Sequence, residues 1–228
     1  MCYAPLYIFC GHHLLVARLR PSNVDPAEGA LEELQRIIGL IRDKWHDTHI
    51  IVRGDSAYVR EEIISFCEDK EGVDYVIAMA TNSQFKLRTC DVIEKAKNEY
   101  EENLLPVVEL IDSLFYKNED LDEVRKLVPN ATWFRSIYHQ TEKSWSRQRR
   151  VVTKVSYGSE GLELRHVITS LPPSQITPSQ LYTKKYCPRG EMENRIKEQQ
   201  LDLFVDRTSI IQAFHGYGYF LQFIPKSD

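Results

Sequence analysis

The chain is poor in the features that would assign it quickly to a common class. No stretch of the 228 residues approaches the roughly 18 uninterrupted apolar residues of a membrane span, and a membrane partner is not expected. The N-terminus, MCYAPLYIFCGHHLL, has no basic region ahead of its apolar run, so it is a poor secretory leader. The five cysteines are an odd number and form no CxxC pair, which fits isolated thiols in a cytoplasmic protein rather than a disulfide framework. There is no Walker A loop, no GxGxxG and no GxSxG, so nucleotide-fuelled, Rossmann and hydrolase readings lack support. The seven histidines show no metal-ligand spacing on one helix. Basic residues do not dominate either: 29 Lys+Arg against 33 Asp+Glu give a net charge of −4. That balance argues against nucleic acid coating the whole surface, though not against a local basic groove.

What is present reads as an α/β fold. Two apolar runs, residues 5–10 and 14–19, flank Gly11-His12-His13 like two buried strands of a hairpin. A helix follows near Pro26, with Leu31, Leu34, Ile37, Ile38 and Ile41 at helical spacing. Residues 49–52 form a short β-branched strand ending in Arg53-Gly54-Asp55-Ser56. A second helix carries Ile63, Ile64 and Cys67, and residues 73–80 form the next strand. The order β-β-α-β-α-β implies a mixed sheet flanked by helices. Residues 81–130 are helical and acidic, as a solvated face would be. Residues 131–171 hold three strands and read as a small antiparallel insertion. Prolines 172, 173 and 178 form a linker, and a long helix is expected from about 188 to 206. The aromatic tail from His215 fits no clear element. The expected division is 1–130 for the first part of the core, 131–172 for the insertion, 173–209 for the rest of the core, and 210–228 for the tail.

Three places could carry chemistry. Asp55 follows a strand, where ligands gather in open α/β sheets; its carboxylate could hold Mg²⁺ or simply cap the next turn. On a helix, Tyr186, Arg189, Glu193, Lys197 and Gln200 would share one polar face. That face is either a solvated ladder of charges or a metal-binding Glu193 among phosphate-holding cations. Finally, Lys143, Trp145, Arg147, Arg149, Arg150 and Lys154 form a basic run without an acidic residue, the kit that grips a nucleic-acid backbone.

Taken together, PLYIFCGHHLLVARLRPSN, IIVRGDS with REEI, SWSRQRRVV and YCPRGEMENRIKEQQLDLFVDRTS resemble, in order, a DDE-type insertion-sequence transposase of the Tyr-Arg-Glu-Lys signature group, transposase DDE domain group 1. The Tyr-x2-Arg-x3-Glu pattern is met by Tyr186, Arg189 and Glu193; where the signature continues with Lys this chain has Gln200, and Lys197 is the nearby alternative. The resemblance implies an RNase H-like core in which Asp55 and Glu193 are two of three carboxylates. These hold two Mg²⁺ (or Mn²⁺) ions for phosphoryl transfer. It implies double-stranded DNA, at transposon ends, as partner, with Tyr186, Arg189 and Lys197 on its phosphates and Trp145, Arg147, Arg149 and Arg150 of the insertion on the end near the cut. Full-length transposase or a second copy is a further expected partner, in a bacterial cytoplasm close to the nucleoid. The resemblance also sets the first catalytic Asp on a strand before PLYIFCG. Since the chain opens at Met1, the expectation is an N-terminally truncated domain, lacking its first core strand and catalytically incomplete. The alternative is a fragment that binds DNA, or inhibits the full-length enzyme, without cutting.

Overall fold

The computed structural model describes residues 5–113, 121–189 and 219–225. Its centre is one eight-stranded sheet. The strands are β1 (Leu6–Cys10), β2 (His13–Arg18), β3 (Ile50–Gly54), β4 (Val73–Met79), β5 (Ala131–His139), β6 (Arg149–Gly158), β7 (Gly161–Thr169) and β8 (Tyr219–Pro225), in the order β2-β1-β8-β3-β4-β7-β6-β5. Two units meet in it: an antiparallel ribbon, β1–β2, and a mixed five-stranded sheet in which β3 and β4 are parallel. β8 joins them, running parallel to β1 and antiparallel to β3.

The helices expected from sequence form where apolar residues recur at helical spacing. α1 (Ala30–Lys44) buries Leu34, Ile37 and Ile38, carries Glu32 and Glu33 in its first turn and Arg42 and Lys44 in its last, and so suits the helix dipole at both ends. Its start is set by Arg20, whose guanidinium donates to the carbonyls of Pro26 and Glu28. α2 (Glu61–Glu68) buries Ile63, Ile64 and Cys67. α3 (Ser83–Arg88), α4 (Cys90–Ser113) and α5 (Leu121–Leu127) supply the helical stretch after β4. A short α6 (Pro178–Gln180) passes into a π-helical turn, Leu181–Tyr186, and a 3-10 turn, Cys187–Arg189.

Strand residues alternate between the sheet's two faces. Ile50 and Val52 of β3, Tyr75 and Ile77 of β4 and Val151 of β6 pack with Leu34, Ile38, Ile63 and Ile64 of α1 and α2. The intervening residues, Ile51, Val76, Val152 and Val167, pack on the opposite face with Leu181 and Tyr182, and Tyr186 lies against that cluster. Both faces of β3 and β4 are therefore covered, which is why these strands read as continuous apolar runs.

Three expectations are corrected. β2 is not a buried strand: it is the sheet's edge, with Val16 alone buried and Leu14 and Leu15 exposed. The three strands of 131–171 do form an antiparallel meander, yet β7 pairs with β4, so they continue the core sheet instead of standing beside it. The tail, left without an element by its sequence, places residues 219–225 in the middle of the sheet. Of the long helix expected at 188–206, residues 188 and 189 lie in the 3-10 turn and the rest lies outside the described residues.

Candidate functional site

Asp55 continues β3 past its last paired residue, Gly54. Its backbone is still extended, with φ −85° and ψ −177°. The carboxylate caps the following 3-10 turn, Ser56–Tyr58, where Oδ1 accepts from the Ala57 N–H at 2.9 Å. The capping reading of Asp55 is thus met, and a carboxylate has further lone pairs with which to serve a ligand as well. By strand alternation Asp55 follows Ile51 and Arg53 onto the face that carries Tyr182 and Tyr186.

Arg53 ties the two together. It is buried, and its Nη1 donates to the carbonyl of Lys185 at 2.9 Å. A buried guanidinium holding a backbone carbonyl is a charge-assisted bond, worth about 1.5–3 kcal/mol. Here it fixes the residue just before Tyr186 against the strand that ends at Asp55. Tyr186 is half-buried, its ring 5.2 Å from that of Tyr182, which stands 5.7 Å from Phe134. The segment between Tyr182 and Tyr186 is wound as a π-helix, a rare form that recurs at functional sites. Arg189 ends the 3-10 turn, and its side chain lies outside the described residues, as do Glu193, Lys197 and Gln200.

The basic run separates. Arg149 and Arg150 are consecutive in β6, so they point to opposite faces. Arg149, its side chain 2% exposed, is enclosed by α2: it donates to both Glu61 and Glu68 and to the Ser65 hydroxyl, and Glu68 also accepts from Tyr75. The hydrogen bond from Arg149 holds the Glu61 carboxyl down to about 2, well below its usual range. Arg150 is buried on the other face, donating to Ser136 Oγ and to the carbonyls of Leu171 and Ile176. Trp145 is buried too, its ring edge-on to His139 and beneath the Arg149 guanidinium. Arg147 is exposed, as is Lys143, and Arg147 faces Glu68 and Asp69 at the C-terminal end of α2. The expectation that Trp145, Arg149 and Arg150 grip DNA is corrected on this ground: their donors and faces are spent on the core.

Other cations stand beside Tyr186. Lys154 of β6 lies over the Tyr182 ring at 5.9 Å, and Arg165 of β7, paired in register with Lys154, is near both tyrosines. The expected basic run contained Lys154 but not Arg165. The alternation of Gly-Leu-Glu-Leu-Arg-His-Val through β7 was the signal that put Arg165 on this face.

An oxygen donor such as Asp55 is the ligand type that Mg²⁺ takes. Among the described residues, however, no three His, Cys, Asp or Glu gather in one place. The described part of the chain does not by itself make up a metal centre, and Asp55 enters as a single candidate ligand.

The arrangement is that of an α/β protein with a carboxylate at the end of an inner strand and an aromatic, cationic segment beside it. The family model of the transposase DDE domain, group 1, matches residues 1–215, and the chain belongs to that family. Its members are transposases; they act on DNA and generally use divalent metal ions. No curated protein and no solved structure matches the chain. Among the described residues no helix is long and apolar enough to cross a membrane.

Proposed function

We propose that this chain is the RNase H-like domain of an insertion-sequence transposase of the Tyr-Arg-Glu-Lys signature group, cutting and joining double-stranded DNA at transposon ends by phosphoryl transfer. Asp55 and Glu193 are two of the carboxylates that serve the reaction. Tyr186, Arg189 and Lys197 contact end phosphates. The divalent ions of the family, Mg²⁺ or Mn²⁺, would supply activation of the attacking oxygen and neutralisation of the leaving one. What the chain supplies is placement. The observation that carries this reading is the Arg53–Lys185 bond. It holds the segment that leads into Tyr-x2-Arg-x3-Glu on the same face, and at the same strand, as Asp55.

The test is cleavage and strand transfer on duplexes bearing matched terminal repeats, with scrambled ends as control. Metal-dependent cutting at the repeat, lost in Asp55→Asn and Glu193→Gln, is the expected result. Cutting indifferent to either change contradicts the reading.

A second reading, a fragment that holds DNA without cutting, is favoured by β8. The resemblance sets an Asp-bearing strand before β1. Such a strand would pair along the side of β1 away from β2, and that side is held by residues 219–225. With β8 in that place the first Asp has no strand position beside Asp55. DNA binding without cleavage, and cleavage gained when residues 219–228 are removed and an Asp-bearing strand is supplied in their place, would support it.

A further inference from the structure

Of the cations that cluster in the sequence, Lys154 is the one that faces the Tyr186 segment, and its partner there, Arg165, lies outside that cluster. Counting along paired strands, Gly54 pairs with Ile77, and Ala78 with Val167, which pairs with Val152. Asp55 is therefore level with Val167 and Val152. Arg165 and Lys154 lie two residues further on, on the same face and at the same end of the sheet. With strands spaced about 4.8 Å apart and a rise of about 3.3 Å per residue, Arg165 stands roughly 12 Å from Asp55. Arg149, at the start of β6, is level with Tyr75 and lies toward the other end.

These two cations share one carboxylate. Glu163 Oε2 accepts from Lys154 at 3.2 Å and Glu163 Oε1 from Arg165 at 3.0 Å. Arg165 is 63% exposed and Lys154 24%. In the turn that carries Tyr182 and Tyr186, Lys184 is exposed and Lys185 half-buried, so with Lys154, Arg165 and Glu163 the five charged groups sum to a net charge of +3 in a chain of net charge −4. Aromatic rings lie beneath the cations: Tyr182 under Lys154, with Tyr186 next to it. Positive charge over aromatic rings beside a half-buried carboxylate is complementary to a nucleic-acid backbone.

We propose that Lys154 and Arg165 are the phosphate-gripping pair of the DNA path leading to Asp55, with Glu163 as the carboxylate that fixes their spacing and tempers their affinity. The proposal rests on the transposase reading for its ligand. It differs from it in keeping only Lys154 of the basic run and joining it to Arg165 of β7, in place of Trp145, Arg147, Arg149 and Arg150. Glu163 acts through the cations: it is a positioning residue that weakens binding in exchange for order.

Duplex DNA carrying a fluorophore, titrated with the full chain over a range of salt concentrations, tests this. Each phosphate neutralised contributes about 0.9 to the slope of log affinity against log salt. Lys154→Ala with Arg165→Ala should therefore lower that slope by about 2, while Glu163→Gln, which removes the competing charge and keeps the shape, should tighten binding. A merely structural ion pair would leave the slope unchanged and would make Glu163→Gln neutral or weakening. Either of those results overturns the proposal while leaving the transposase reading in place. Failure of the unaltered chain to bind any duplex overturns both.

Discussion

Two regions of this molecule carry cations at similar density, and they do opposite work. At the start of β6 the positive charge of Arg149 and Arg150 is turned inward. Arg149 clamps β6 to α2 through Glu61 and Glu68, and Arg150 ties the sheet to the linker carbonyls of Leu171 and Ile176. Around Tyr186 the charge is turned outward, on side chains that come from three separate elements and meet only in the fold. Adjacency in sequence is thus a poor guide to a shared surface in a strand, where neighbours face opposite ways. Residues two apart, or on paired strands, are the ones that act together.

The sharpest way to break this comparison is at Asp55. Asp55→Asn should reduce end cleavage by at least about 10²–10³-fold, the cost of deleting one preorganised electrostatic group, without lowering the stability seen by urea unfolding beyond the loss of a cap, about 1 kcal/mol. A second strike separates the two cationic regions by stability. Arg149→Ala strands two partly buried carboxylates and should cost about 3–5 kcal/mol. Lys154→Ala with Arg165→Ala removes solvent-accessible pairs to Glu163, one of them half-buried on its lysine side, and should cost no more than about 1 kcal/mol. If the two unfold alike, the division into an inward and an outward region is wrong. Arg147→Ala, at the other end of the sheet, should leave the DNA-binding slope as it is.

Acidity sharpens the inward region further. Burial beside Phe85 pushes His166 down to about 4 from its ordinary 6.5, while its Nδ1 is bonded to Thr153 Oγ1 and its Nε2 has no hydrogen-bond partner among the described residues. The unfolded chain takes up that proton first as pH falls. Stability should therefore fall from pH 6.5 to about 4, at up to about 1.4 kcal/mol per unit, and His166→Leu should remove this portion. Glu61 adds a later loss. Its carboxyl is depressed, so its contribution is full above about 4.5 and fades as pH falls toward about 2. Urea unfolding at stepped pH reads both.

Much of the fold was legible because its strands are buried on both faces or its helices on one. Residues 49–52 and 73–80 are dense in β-branched and apolar residues, and α1 and α2 show a single apolar stripe. β2 misled because three apolar residues in a row suggest burial, whereas an edge strand leaves them partly in water. Residues 219–225 could not be placed from sequence since a strand's neighbours are decided by the whole sheet, and nothing local to Tyr-Phe-Leu-Gln-Phe-Ile-Pro encodes a seat between β1 and β3. At the strand end, the placement of Asp55 after β3 was legible from the apolar run that precedes it. Arg53 was not: a buried arginine bonded across 132 residues to a backbone carbonyl leaves no mark in the sequence. Arg149 and Arg150 read as surface because charge is usually solvated, and the acidic partners that buried Arg149 sit more than eighty residues earlier.

The most direct test is to load the protein with Fe²⁺ in place of Mg²⁺, generate hydroxyl radicals from it with ascorbate and peroxide, and map where the polypeptide is cut. Cuts on both sides of Asp55 and again around Glu193, all lost together in Asp55→Asn, are what a shared cation predicts. Cuts confined to one of the two segments, or elsewhere and indifferent to Asp55→Asn, would contradict it.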